Sequence, residues 1–594
     1  MARDADGPLA GVGHGEGAAL APGHEEHALR HGPTAGDRVR LADSDLWIRI
    51  EEDLTEPGDQ ALWGYAKNWR SRMAQHDAAT TASELDTVIG SVIVVDPLLG
   101  VVKCDLGIKD GRIAGIGRAG NPDITDGVDL TIGPNTWPIP CHGLIATPAV
   151  IDSHVHLLSP RLVPVALSAG VTTLITAGFE EPPERMRATY AAFEHLPVNI
   201  GLQPSARADV AGGLDHAIEA GAVGLKIHED WGAYPEIIDA TLHAADMHDI
   251  AVCLHTDSLN ESTELEGTVA AIAGRTIHAY HVEGSGGGHI PDGLGLVREP
   301  NVFCSSTTPT LPYGPATAAE QLDMKLIVHE GNPALAGDIA AARELVHPAT
   351  MAAEGPLHEF GAIQIVNSDS QGMGRIGETM RRTFQLADVM KRWRGTDAGV
   401  GWGDPPTVKR LRTAAAPTDD EPDDNERVLR YLAKITAEPA RVHGIAEDVG
   451  SLAPGRMADI VLWWSSHFGV KPIMVLKAGV VAWSAMGEGN ASVHGAEPTR
   501  YGPDWGGSGD APARLATTYV SQAALDAGFA ASTKRRVVAV RGTRGLTRDG
   551  LVANTAAPSD LTISPIDGTV AIGGRVVACD PTATVPMSRR YLLA

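Results

Sequence analysis

Two histidines, His154 and His156, lie just after the apolar run Leu144–Ile151, in the stretch Asp152-Ser153-His154-Val155-His156. In an extended chain, residues two apart share a face, so both imidazoles can reach one metal ion. On its own such a pair serves equally well as two hydrogen-bonded histidines. Lys226 and His228 share a face in the same way at the end of the run Ala222–Ile227. A lysine there can form a salt bridge or a Schiff base. It can also add CO2 to its neutral amine and become an anionic carbamate able to bridge two metals. His255 follows the run Ile250–Leu254, His281 follows Thr276–Tyr280, and Asp369 follows Ala362–Val366. The six residues thus come in the order HxH, Lys, His, His, Asp, each at the end of an apolar run. One shared metal site accounts for that coincidence better than six unrelated roles. No cysteine joins the set, so the donors are hard to borderline and suit zinc, nickel, manganese or iron.

These residues need a frame that gathers strand ends. The middle of the chain supplies eight short apolar runs: the five above with Val171–Thr176, Val198–Leu202 and Asn301–Cys304. Amphipathic stretches such as Pro235–Met247 and Ser262–Ala273 separate them. Eight such units predict an α/β fold, a TIM (β/α)8 barrel, although seven units would also fit; the active site of such a barrel lies at the C-terminal ends of its strands. The long connection between Cys304 and Ala362 suggests a helical excursion over the mouth. On either side the pattern turns to strands. Ser91-Val92-Ile93-Val94-Val95 and the residues after it carry an Asp110-Gly111 hairpin signal, and Ile460–Trp464 and Ile473–Trp483 read alike. The expected organisation is a flexible tail at 1–31 and a smaller β-rich domain composed of 32–147 with 430–484. The barrel takes 148–429, with a flap at about 305–350, and a C-terminal extension at 485–594 packs on it. The Asp-, Pro- and Gly-rich stretch Thr396–Glu426 is expected to be an exposed loop.

Composition narrows the function classes. Hydrophobic residues make up 43% and charged residues 21%, which excludes a wholly disordered chain. Acidic residues number 74 and basic ones 48, a formal charge of −26. A polyanion repels phosphate backbones and anionic lipid, so neither nucleic acid nor a membrane surface is expected as a partner. Five scattered cysteines without a CxxC pair point to a reduced, cytoplasmic protein with no thiolate zinc site. No apolar run is long enough to span a bilayer, and the first residues lack the pattern of a secretory signal. The Gly-rich stretch Gly284–His289 has no following Lys-Ser/Thr, which excludes a P-loop.

The ligand order resembles the amidohydrolase superfamily, and finer motifs resemble the large, catalytic alpha subunit of urease. They include GPTAGDRVRLADSDLWI from Gly32, KDGRIAGIGRAGNPDI from Lys109 and GLKIHEDWGA from Gly224. They continue with HTDSLNE from His255, RTIHAYHVEGSGGGHIPD from Arg275, SSTTPTLPY from Ser305, SDSQGMGRIGE from Ser368 and FGVKP from Phe468. The resemblance runs from about residue 32 to the end. It implies hydrolysis of urea at two nickel ions bridged by Lys226, carbamylated by CO2. His255 and His281 would complete one nickel's ligands, and His154, His156 and Asp369 the other's. His228 would hydrogen-bond the substrate carbonyl. His329 would be the general acid on a mobile flap, paired with Asp230, and Gly286 and Gly372 would lie against substrate. The resemblance further implies urease beta and gamma subunits as separate chains in a trimeric hetero-oligomer, with accessory proteins delivering nickel.

Three features depart from the family pattern. The flap reads Val328-His329-Glu330 where Cys-His-His is usual, and its arginine position is taken by Leu345, with Arg343 on another side of the helix. The loop after the second run, Ala177-Gly178-Phe179-Glu180-Glu181-Pro182-Pro183, is shorter. Gly372 replaces an alanine and is expected to leave more room. These departures admit a urease-like hydrolase for a larger urea-like or amide substrate. A zinc cyclic amidase and a non-catalytic paralogue are further alternatives; the flap histidine and HEDWG oppose the first, and the complete ligand set opposes the second.

Overall fold

In the computed structural model the described residues are 23–56, 63–64, 68–69, 72–178, 182–228, 232–255, 265–284, 291–412, 422–485 and 503–588. Eight strands run parallel around a common centre: β1 (Val150–Val155), β2 (Val171–Thr176), β3 (Asn199–Gly201), β4 (Gly224–Ile227), β5 (Ala251–His255), β6 (Ile277–Tyr280), β7 (Val302–Thr307) and β8 (Ile365–Asn367). Ladders join β1 to β2 to β3, and β4 through to β8. Two seams close the ring. Lys226 donates its N–H to Pro204 O at 2.9 Å and accepts from Ala206 N–H at 2.7 Å. At the other seam Asp369 N–H donates to His154 O and His156 N–H to Ser370 O, both at 2.9 Å. The closed barrel follows from runs buried on both faces, Val-, Ile- and Leu-rich and without alternation. Its helices include Pro235–His248, which opens with proline at its first position, where the missing N–H costs nothing.

A second, nine-stranded sheet combines early and late segments. Thr87–Asp96, Gly100–Lys109 and Leu144–Pro148 share it with Ile460–Trp464, Met474–Lys477 and Val480–Ser484. The hairpin signal is realised: Asp110 and Gly111, at φ 50° and 73°, join Gly100–Lys109 to Arg112–Gly117. Such a two-residue turn matches the strand twist and favours glycine second.

Three expectations are revised. The run Leu144–Ile151 is two strands, not one. Leu144–Pro148 pairs antiparallel with Ile460–Trp464 in the second sheet, the chain turns at Ala149, and β1 begins at Val150. Both pieces are fully buried, so no change in periodicity marks the joint. The stretch from Thr396 is not uniformly exposed. Val408 is buried, and its neighbours are stitched by Lys409 N–H to Val552 O and Leu411 N–H to Leu98 O. Within 1–31, His24–His31 forms a helix; positions 1–22 lie outside the described residues. Late in the chain, Thr517–Val520 and Arg536–Ala539 extend β3 as two further parallel strands. Buried Arg548 donates to Val302 O at 2.9 Å and Val297 O at 2.7 Å. Among the described residues no helix is long and apolar enough to cross a membrane.

Candidate metal centre

The barrel's C-terminal end opens into a cavity of about 340 Å³ lined by His154, His156, Lys226, His228, His255, His281, His329, Asp369 and Gly372. All six residues of the ligand order therefore meet at one place. The tightest grouping is His154, His156 and Asp369, whose donor atoms lie within 4.8 Å of one another. Asp369 Oδ1 stands 3.2 Å from Nε2 of both histidines. Ligand bonds of roughly 2.0–2.2 Å around one divalent ion place neighbouring donors at about this separation, so the donor set fits a metal. Across the cavity the His255 and His281 rings meet edge to face, centroids 4.4 Å apart, and His228 stacks on His255 at 4.6 Å.

Electrostatics at the site turn on Lys226. Its side chain is almost fully buried, with Nζ 3.9 Å from the Tyr280 ring centroid. Burial, and then the Lys226 charge, hold the His154 imidazole well below the usual histidine range. Burial, His228 and Lys226 do the same to His255. Both rings are thus kept neutral, with lone pairs ready for a metal. An ammonium among four imidazoles opposes any bound cation; a carbamate at the same atom would reverse that sign. Gly178, at φ 108°, backs this lysine: a Cβ there would meet Lys226 Cγ and Ser205 Oγ, each at 3.5 Å.

His329 reaches the mouth from the helix Thr317–Val328, one of three that build the excursion between β7 and β8 with Ala336–Glu344 and Pro348–Glu359. It caps the helix. Glu330 follows in the left-handed region at φ 56°, Gly331 N–H donates to Leu326 O at 2.7 Å, and Glu330 N–H to Ile327 O at 3.3 Å. That is a Schellman ending with glutamate where glycine is favoured. Leu345 is the half-buried cap of the next helix, and Arg343 is exposed. The expectation for Gly372 is reversed. A Cβ at this position would lie 2.5 Å from Asp369 Oδ1 and 2.7 Å from His156 Cδ2, so the backbone lies close against these two side chains and leaves no room beside the glycine. Asp230, Gly286, Glu180 and Glu181 lie outside the described residues.

Sequence reasoning missed several residues at the site. Tyr280 floors it, stacked on His154 at 4.0 Å and donating its hydroxyl to Ser153 O at 2.7 Å. Its position directly before the strand-end His281 carried no separate signal. Lys325 is buried one turn before His329 on the mouth helix, and its charge bears on His255. Asp152, fully buried, has its carboxyl pushed up to about 6 by burial, against hydrogen bonds from Ser368 and His154. It stood in the quoted motif, yet its adjacency to the histidines did not separate it from a core residue. Deeper in the barrel, Cys253, His278 and His443 also cluster. There burial pushes the Cys253 thiol up to about 11, it donates to Gln203 Oε1 at 3.2 Å, and the two histidines pair with each other at 3.2 Å.

Two family models match the chain: the amidohydrolase family over residues 145–491, and the urease alpha-subunit N-terminal domain over residues 22–139. Urease subunit alpha 1 of Streptomyces avermitilis is 44% identical over 96% of this chain and 99% of its own length. Urease subunit alpha of Haloarcula marismortui is 42% identical over the same shares. The chain belongs to the urease alpha-subunit family. It is accordingly a hydrolase of the urease class, with the metal centre that family and fold imply. Among solved structures, a D-hydantoinase from a Thermus species aligns with a TM-score of 0.46 and 16% identity, over 67% of this chain and 95% of that one.

Proposed function

We propose that this urease-family chain hydrolyses urea at a dinuclear nickel centre bridged by carbamylated Lys226. The observation that carries the reading is the convergence of four histidines, Asp369 and Lys226 on one cavity with His329 at its rim. His255 and His281 would hold one ion, and His154, His156 and Asp369 the other. Bound there, two divalent ions supply Lewis acidity toward a carbonyl and lower the pKa of water. Asp369 and the carbamate contribute the negative charge that such a pair requires. His228, half-buried and stacked on His255, would donate to the substrate oxygen. His329 hands a proton to the departing nitrogen, because an amide anion is too basic to leave unprotonated. Asp230 would orient it, and the backbone at Gly372 and Gly286 would hold the substrate's N–H groups. Closure of the mouth helix would exclude water and bring the acid in.

By the same family resemblance, the chain works in the cytoplasm with separate beta and gamma subunits, in trimers of such units, after nickel and CO2 delivery by accessory proteins. A second reading, a larger urea-like or amide substrate, draws on the departures from the family pattern at Val328, Glu330 and Leu345 in the segment over the mouth. Steady-state kinetics on the metallated assembly, with urea beside substituted ureas and simple amides, test both. Ammonia release from urea with no turnover of larger analogues supports the first. The reverse preference supports the second, and turnover of none rejects both.

A further inference from the structure

The loop that delivers Asp369 is strained, yet its carboxylate sits at matched distances from two histidines of another strand. Asp369 and Gln371 both adopt left-handed backbone, at φ 55° and 63°. Such residues persist only where their surroundings over-determine them. Two backbone hydrogen bonds tie this loop to the end of β1: Asp369 N–H to His154 O and His156 N–H to Ser370 O. Two side chains add to them from opposite sides. Below, Asp152 Oδ1 accepts from His154 N–H at 3.2 Å on its own strand and from Ser368 N–H at 3.0 Å on the loop. Its other oxygen stands 3.5 Å from Thr379 Oγ1, at the start of the helix Thr379–Arg394. Above, Gln371 Oε1 accepts from Leu158 N–H and Ser159 N–H, each at 2.9 Å, in the segment leaving His156.

We propose that Asp152 and Gln371 are positioning residues that clamp the Asp369 loop to the strand end carrying His154 and His156, and so set the spacing of these three donors. The proposal rests on the metal-centre reading of those donors. Each clamp is a single acceptor oxygen shared by two N–H groups. Asp152 spans the seam between β1 and the loop after β8, and Gln371 spans the same seam one layer outward. Either oxygen lost leaves two N–H groups without their acceptor and frees a loop whose relaxed backbone would not be left-handed. The donors would spread, and metal affinity would fall more than global stability.

The test compares full-length chains stripped by a chelator and titrated with Ni2+ or Zn2+ in bicarbonate buffer, with metal content read by mass spectrometry and thermal melting read in parallel. Asp152→Ala and Gln371→Ala should each weaken binding by about 10–100-fold, the usual cost of removing a group that orients ligands. Asp152→Asn and Gln371→Glu keep an acceptor oxygen and should bind within a few-fold of the parent. If Asp152→Ala does not fold, the half-buried Gln371 pair decides alone. Ala variants that bind as tightly as the parent overturn the clamp, as do Asn and Glu variants that fall as far as Ala. No binding by the parent, even when it is loaded together with the accessory proteins, overturns the metal-centre reading, and the clamp with it.

Discussion

Replacing Gly372 with alanine asks whether the close approach of this backbone to the ligands matters. A methyl group built on Cα would stand 2.5 Å from Asp369 Oδ1, 2.7 Å from His156 Cδ2 and 3.1 Å from His156 Nε2. Ordinary contact begins near 3.4 Å. The carboxylate, the imidazole or the loop must therefore give by roughly 0.9 Å, on the scale at which misplacement costs about a hundredfold in rate. All the nearest atoms belong to proposed ligands, so the strain falls on the donor set and not on packing elsewhere. Gly372→Ala should lower kcat for urea by about 10–100-fold and weaken metal retention during dialysis, while the melting temperature of the metal-free chain stays near the parent's. Steady-state kinetics and nickel analysis of the same preparations check this. Parent-like kcat and nickel content would refute the reasoning, showing that the loop yields freely.

His329→Ala should cut kcat by about a hundredfold or more with unchanged nickel content; an unchanged kcat would place the general acid elsewhere. Glu330→Gly relieves a left-handed residue at the end of the mouth helix and should stabilise it by about 1 kcal/mol, read as stronger amide-exchange protection of Thr317–Val328; unaltered or weaker protection argues against that strain. Burial holds the His443 imidazole down to about 3 from the ordinary 6.5. The unfolded chain binds the proton that the native chain refuses, so this stability is complete above about pH 6.5 and is lost as pH falls toward 3. Between pH 7 and 5 the loss is about 2 kcal/mol, which His443→Gln should abolish; parallel guanidinium melts of parent and variant at the two pH values would contradict it.

The six proposed ligands were legible because barrel strands buried on both faces end abruptly, and a polar, metal-binding residue stands out where an apolar run stops. The same uniform burial concealed the joint at Ala149, since Leu144–Pro148 and β1 are equally apolar while belonging to different sheets. Pairings between distant segments left no local trace: nothing in Thr517–Val520 marks it as a neighbour of β3. Clamps such as Asp152 and Gln371 were invisible for a related reason, because their partners are backbone N–H groups, which every residue offers. Gly372 shows the limit of reasoning from side-chain size. A smaller residue predicts room, but here the backbone lies so close to Asp369 and His156 that none is left. Val408 likewise is buried inside a stretch whose composition reads as exposed loop.

The central claim is tested most directly by measuring ammonia release from urea against nickel content across preparations of the complete assembly, loaded to different extents in the presence of bicarbonate. Activity should rise with nickel to a plateau at two ions per chain, and the Lys226→Ala variant should give none. Urea hydrolysis that does not follow nickel, or a fully loaded assembly that leaves urea intact, would contradict it.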